Sequence, residues 1–298
     1  MPFRSLFIAL SIPFILMSSL TLLSGQVGDD GTSLGIMTYN IRYNNPGDGV
    51  NAWPRRCGRV IALIRKYHPD ILGIQEGLKG QVDDLTHALT DYEWFGVGRD
   101  DGRDSGEFSA IFYRNDRFER LDGSTFWLSK TPNIPGSRGW DAACNRIVTW
   151  VELKEIKSGK VFYVFNTHFD HVGRLSQYQS AWLLLEKIKD IAGGHPVIAT
   201  GDFNAGHTSE AYKILTACDS TCLRDARNLA KNRSGPEYTY IGFSVKDTPG
   251  ETIDHIFITP DWTADSYGII SDSKNGFYPS DHLPVLVRLR LPLADYNR

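Results

Sequence analysis

Six short clusters in this 298-residue chain place an acid, an amide or an imidazole at the edge of an apolar run, the first four where the run stops. They are Thr38-Tyr39-Asn40, Gly73-Ile74-Gln75-Glu76, Asn166-Thr167-His168, Gly201-Asp202-Phe203-Asn204, Ile253-Asp254-His255 and Ser280-Asp281-His282. Carboxylate and amide oxygens are hard ligands for a small divalent cation. A histidine beside an aspartate can accept or deliver a proton. Together these donors suit metal-assisted hydrolysis of a phosphoester.

Singly, each cluster has an ordinary reading: a solvated loop glutamate, a turn capped by Asp and Asn, a hydrogen-bonded structural histidine. Their recurrence at successive strand ends carries the inference. In Gly201-Asp202-Phe203-Asn204 two polar residues straddle a phenylalanine. Alternate side chains share a face in extended backbone, so Asp202 and Asn204 are expected to point together while Phe203 enters the core. His168 follows a Val, Phe and Tyr run and has Asp170 and His171 beside it. Asp254 with Asp281-His282 fits an acid–imidazole pair, with a second aspartate free to ligate metal. Arg146, just before an apolar run, could reach a substrate phosphate, and Arg99, Arg103, Arg138 and Arg174 are further loop cations. Phe126, Trp127 and Trp140 could stack on a base or sugar, though core packing is their commoner role.

The elements that must hold these residues follow from periodicity. Strands are expected over 34–40, 71–74, 92–97, 109–113, 118–122, 147–153, 161–166, 197–200, 253–258 and 285–291. Ala52-Trp53-Pro54 opens a helix whose apolar face is Val60, Ile61, Leu63, Ile64 and Tyr67. Val82, Leu85 and Leu89 mark a second helix, and Leu175, Tyr178, Trp182, Leu185 and Ile188 a long third one. Loops rich in Gly, Asp, Pro and Ser fill 98–106 and 129–139. Strands mixed with helices, and too many strands for one sheet, point to an α/β domain with two sheets.

Composition sets the frame. Apolar residues make up 41% and charged residues 22%, ordinary values for a globular chain with a sizeable core. A net charge of −3 gives no broad basic face for nucleic acid. Residues 1–25 have a basic start, a long apolar run and small residues near Ser24-Gly25, the pattern of an export signal, with an uncleaved anchor as its alternative. Export permits disulfides among Cys57, Cys144, Cys218 and Cys222, with Cys218 and Cys222 close enough in sequence to close a small loop. The cysteine spacing does not fit a zinc site.

In order and spacing the clusters resemble the endonuclease/exonuclease/phosphatase superfamily of deoxyribonuclease-I-like proteins, over residues 34–291. The likeness is to exported bacterial members and, more distantly, to deadenylase-type 3′-exonucleases. The resemblance implies a four-layer α/β sandwich, two mixed β-sheets packed face to face and flanked by helices. It implies a Mg²⁺ centre, with Mn²⁺ as substitute, held by Glu76 with Asn40 and Asp281 beside it. Asp202 would position the nucleophile or a second metal, Asn204 and His168 would contact the scissile phosphate, and Asp254 with His282 would form the base. Arg146 and His171 are the substrate-binding expectations.

The activity so implied is that of a phosphodiesterase or nuclease, 3′–5′ exonuclease-like, acting on short nucleic acid outside the cytoplasm as a monomer with no stable protein partner. The alternatives are a phosphatase or phosphodiesterase for a sugar, inositol or lipid phosphate, and an inactive binding protein on the same fold. A serine esterase is disfavoured, because the chain has no G-x-S-x-G elbow.

Overall fold

A computed structural model describes residues 33–217, 223–244 and 250–290. The expected signal segment and the pair Cys218 and Cys222 lie outside those residues. Two mixed sheets lie face to face. The first contains β1 (Ser33–Asn40), β2 (Ile71–Gln75), β3 (Tyr92–Phe95), β4 (Ile111–Arg114), β10 (Asn232–Ser234), β12 (Thr263–Ile269) and β13 (Val285–Arg290), in the spatial order β10-β12-β13-β1-β2-β4-β3. The second contains β5 (Phe118–Trp127), β6 (Ile147–Glu155), β7 (Val161–His168), β8 (Val197–Asp202), β9 (Arg224–Asp225) and β11 (Asp254–Ile258), in the order β5-β6-β7-β8-β11-β9. In the first sheet β1 runs parallel to β2 and antiparallel to β13; in the second β7 runs parallel to β8.

Helices α1 (Trp53–Tyr67) and α2 (Lys79–Ala88) cover the outer face of the first sheet. Helices α3 (Arg174–Ala192) and α4 (Glu210–Thr216) cover the second, and the short α5 (Ala226–Leu229) follows β9. The four-layer sandwich expected from the sequence is the observed architecture.

Period two along the central strands explains how this scaffold presents its polar ends. On β1, Leu34 and Ile36 enter the core between the sheets while Met37 and Tyr39 pack under α1 and α2. On β8, Ile198 faces inward while Val197 and Ala199 face α3 and α4. On β11, Ile256 and Ile258 face inward and Phe257 outward. The same parity puts Asn40, His168, Asp202 and Asp254 on the inward face, at the strand ends where the apolar core stops.

Beneath them a buried polar ladder joins the sheets. Gln75 Nε2 donates to Asn166 Oδ1 (2.7 Å) and Thr38 Oγ1 (3.0 Å), and Thr200 Oγ1 donates to the same Asn166 oxygen (3.0 Å). Asn166 Nδ2 donates to the carbonyls of Ile74 and Ala110. Gly73 permits this approach: a Cβ there would lie 2.4 Å from Thr200 Oγ1 and 2.7 Å from Asn166 Oδ1.

Several local expectations need correction. Strand β5 continues to Trp127, well past the expected end at Asp122. β12 was not expected; a register shift between Ala264 and Ser266 breaks its alternation, so its apolar residues do not recur at period two. Of the two readings open for the cysteines, disulfides or free thiols, Cys57 and Cys144 take the second. Phe126 and Trp127 are buried, as core packing requires, and Trp127 Nε1 donates to the Arg99 carbonyl.

Candidate active site

Five strand ends and two loops converge at one edge of the sandwich. Asn40 closes β1 and is fully buried. Its amide Nδ2 donates both to Glu76 Oε1 (2.9 Å) and to Asp202 Oδ2 (3.0 Å), linking the acids of the two sheets. Its side-chain oxygen Oδ1 accepts from the Arg42 backbone N–H (3.0 Å).

Glu76, directly after β2, has a left-handed backbone with φ 64°. That conformation is costly for a residue with a Cβ, and such strain is held where the surroundings demand it. Here the Tyr43 backbone donates to Glu76 Oε2 (3.1 Å) and Asn40 holds Oε1. Arg42 sits between two carboxylates, 3.9 Å from Glu76 Oε2 and 3.7 Å from Asp281 Oδ2. The sequence reading passed over Arg42. Strand alternation gives no signal for it, because β1 ends at Asn40 and Arg42 has a left-handed backbone with φ 55°.

Arg56 of α1, also passed over, is entirely buried and fastens this corner. Nε donates to the Asn51 carbonyl (2.8 Å), Nη1 to the carbonyls of Ile41 and Pro279, and Nη2 to that of Arg42. It thus ties the chain after β1 to the segment leading into Asp281. A buried arginine on an amphipathic helix gives no sequence signal of such a role.

Asp202 lies at the centre. Its Oδ2 is 3.5 Å from His168 Nε2 and 3.7 Å from His282 Nε2, and Oδ1 accepts from the Asn204 backbone (3.0 Å). Burial, and then the charge of Asp254, push the Asp202 carboxyl up to about 7, with His282 opposing. His282 Nδ1 is 2.9 Å from Asp254 Oδ2. Burial alone would lower the His282 imidazole, but Asp254 and Asp202 outweigh it and hold the ring well above its usual range. Asp202 and Asn204 do share a side with Phe203 in the core, although not through extended backbone. Asn204 has φ 46°, a left-handed position that asparagine tolerates better than most residues.

The Asn204 amide donates to His168 Nε2 (3.1 Å) and to the Phe169 carbonyl (3.0 Å). His168 therefore carries its proton on Nδ1. Burial, then Arg146 and Arg99, keep that imidazole well below its usual range, so it is neutral. Its Nδ1 is buried without a hydrogen-bond partner, as are Arg146 Nη1 and Arg99 Nε. All three residues line one cleft with Glu76, Glu107, Phe108, Ser109 and Ile147. Glu107, another residue the sequence reading missed, pairs with Arg99 (2.6 Å), and burial followed by repulsion from Glu76 raises its carboxyl.

Arg146 is held by Asp170 (3.5 Å) and by His171, whose Nδ1 lies 3.0 Å from Nη2. His171 is itself exposed. Arg103 and Arg174 are exposed residues that take no part in the cleft lining, and Arg138 donates only to the Ala143 carbonyl.

The oxygen donors of Glu76 and Asp281 fit a hard divalent cation. Burial and the Glu76 charge raise the Asp281 carboxyl, so the two acids crowd each other in a way that a cation between them would relieve. The carboxylates and imidazole of Asp202, Asp254 and His282 also lie within ligand range of one another, with His282 Nδ1 and Asp254 Oδ2 already joined by a hydrogen bond.

Two face-to-face mixed sheets with acids, amides and imidazoles at one shared edge define the phosphoester hydrolase class of this architecture. The chain belongs to the endonuclease/exonuclease/phosphatase family, whose sequence profile matches residues 37–282. The solved structure of a family member from Bacteroides vulgatus superposes with a TM-score of 0.84 at 42% identity, covering 87% of this chain and 99% of that one. A mannosyl-6-phosphatase of Bacteroides thetaiotaomicron superposes with a TM-score of 0.81 at 36% identity, covering 86% of this chain and 99% of that one. Human Nocturnin is 25% identical over 84% of this chain. The match spans 64% of Nocturnin's own length, and two mimivirus proteins are matched over 60% and 36% of theirs.

Proposed function

We propose that this protein is a Mg²⁺-dependent hydrolase of small polar phosphoesters, with sugar phosphates as the favoured class. The observation that carries this reading is the convergence of three buried donors that make no hydrogen bond, His168 Nδ1, Arg146 Nη1 and Arg99 Nε, on the cleft that Glu76 borders. Buried donors without partners are costly and rare, and an anion satisfies them. The Glu107, Ser109 and Arg99 side chains beside them can meet hydroxyl groups of a compact leaving group. The net charge of −3 and the likeness to a mannosyl-6-phosphatase support the same class.

In this reading Glu76 and Asp281 hold the cation, and Asn40 orients Glu76 and Asp202 through its amide. Bound there, Mg²⁺ supplies charge neutralisation at the phosphoryl oxygens. Arg99, Arg146 and His168 grip the phosphate, and the Asn204 amide holds His168 in place. Asp202, bonded to Asn40 and close to His168 and His282, takes the proton of the attacking water. His282, fixed by Asp254, faces Asp202 across 3.7 Å and balances the charge that develops. His171 positions Arg146 rather than touching substrate. The apolar leader at residues 1–25 supports action outside the cytoplasm.

A second reading, cleavage of short nucleic acid, rests on the resemblance of the strand-end motifs to deadenylase-type 3′-exonucleases. Phosphate release from hexose 6-phosphates, compared with hydrolysis of bis-p-nitrophenyl phosphate, single-stranded RNA and DNA, separates the two. Mg²⁺-dependent, EDTA-sensitive turnover that is fastest on a sugar phosphate supports the first. Faster turnover of an oligonucleotide than of any phosphomonoester overturns it.

A further inference from the structure

Asp254 and His255 are neighbours on β11, so their side chains leave on opposite faces of the second sheet. Asp254 turns inward to His282; His255 turns outward, toward the layer of α4. On that side it meets a second cluster that the hydrolytic site does not use. His255 Nδ1 lies 3.2 Å from Asp225 Oδ2, and His207 Nε2 lies 3.8 Å from the same oxygen. The three ligand atoms all fall within 4.8 Å of one another.

The hydrogen bonds around this cluster aim its lone pairs at one point. His255 Nε2–H donates to the Ala205 carbonyl (2.9 Å), and the other ring nitrogen, Nδ1, faces a carboxylate oxygen. Two electron-rich atoms at that separation require a proton or a cation between them. Asp225 is fixed in turn, Oδ1 accepting from the Arg227 backbone (2.9 Å) and Oδ2 from the Tyr212 hydroxyl (3.1 Å). His207 Nε2 is shielded from solvent and has no hydrogen-bond partner. An imidazole tied to a carbonyl on its far nitrogen is the usual outer support of a metal-bound histidine.

We propose that His207, Asp225 and His255 form a second, structural metal site for a zinc-like divalent ion, separate from the hydrolytic centre. Two imidazole nitrogens and one carboxylate suit Zn²⁺ rather than the hard cations that all-oxygen sites select. Zinc–ligand lengths of about 2.0–2.1 Å place tetrahedral ligands about 3.3 Å apart. The Asp225–His255 pair already has that spacing at 3.2 Å, and a small swing of the partly exposed His207 ring closes the other from 3.8 Å. The Tyr212 hydroxyl or a water completes the shell. Such an ion would clip three segments together: the loop after Asn204, the start of α5 and strand β11. It would thereby steady Asn204 and Asp254 from behind.

The test is Zn²⁺ and Co²⁺ binding to metal-free protein, followed by calorimetry, elemental analysis and visible absorption. Wild type is compared with His207→Ala, His207→Gln and, at the hydrolytic centre, Glu76→Gln. Because His207 is partly exposed, its replacement leaves the core intact, which circular dichroism verifies. The expected result is one molar equivalent of zinc that Glu76→Gln retains. Both His207 variants should weaken it by about 100-fold, since even outer partners of a metal ligand are worth about 10–100-fold. The Co²⁺ absorption and the thermal stabilisation by Zn²⁺ should vanish with it. Equal zinc stoichiometry and affinity in wild type and both His207 variants, or no equivalent surviving in Glu76→Gln, overturns the proposal.

Discussion

His282 Nδ1 lies 2.9 Å from Asp254 Oδ2 while the other ring nitrogen faces Asp202 at 3.7 Å, so a single imidazole bridges two buried aspartates. The pair joins the two sheets: Asp254 begins β11 of the second, and His282 stands just before β13 of the first. Its geometry therefore depends on how the sheets are packed. Replacing Asp254 by Asn keeps shape but removes the charge that holds the ring. The expected loss in kcat is about 10²–10⁴-fold with a smaller change in KM. Steady-state kinetics on the best phosphoester, with a circular-dichroism check of folding, measures it.

Glu76→Gln removes one of the two carboxylates proposed to hold the cation and keeps the amide-sized side chain in its strained backbone. The expected outcome is a fall in activity of about 10²–10³-fold and a higher Mg²⁺ requirement. EDTA should abolish wild-type turnover, and Mg²⁺ or Mn²⁺ should restore it. A variant with wild-type Mg²⁺ dependence would remove Glu76 from the centre.

Arg56→Ala deprives the carbonyls of Ile41, Arg42 and Pro279 of their buried donor. Unsatisfied buried acceptors cost about 1–3 kcal/mol each before relaxation, so an overall loss of about 2–4 kcal/mol is expected. Urea unfolding reports it. The same variant should lose activity, because the loop carrying Arg42 and the segment before Asp281 come free together.

Gly73→Ala drives a methyl group into Thr200 Oγ1 and Asn166 Oδ1. Overpacking of this kind costs about 1–3 kcal/mol. The thermal midpoint should fall accordingly, and trimming Thr200 to Ser in the same chain should recover little, since the hydroxyl and Asn166 remain.

Asp170 contributes a pH-dependent term. Burial would raise its carboxyl, but the backbone amides of Gly173, Ala143, Val172 and Cys144 outweigh burial and lower it from 3.8 to about 2. A carboxyl depressed in the fold contributes stability that is complete above its unfolded value. That stability drains away as pH falls through the folded value. Between pH 3.8 and about 2 wild type should therefore lose stability, while Asp170→Asn, already weaker at neutral pH, should lose less over that interval. Unfolding midpoints recorded across that acid range decide the matter.

Much of the scaffold was legible in the chain. Buried strands such as Ile71–Gln75 and Val197–Asp202 announce themselves as apolar runs, and α1 by its proline start and apolar stripe. β12 was not legible, because its bulge breaks the alternation that reveals a strand. Of the site, the acids and imidazoles at strand ends stood out, whereas Arg42, Glu107 and Arg56 did not. Arginine and glutamate are common surface residues, and only burial against a specific partner distinguishes these three.

The sequence by itself determined the parity of each central strand. Since side chains alternate, the residues that terminate β1, β7 and β8, and the one that begins β11, had to face the same way as the core before them. What only the tertiary structure decided was which of those ends meet. Asn40 bonds Glu76 within its own sheet but Asp202 across the sandwich, and His282 reaches Asp254 across the same gap. Those pairings span up to 162 positions of sequence, and they exist only because Gly73 lets the two sheets close on a shared polar ladder.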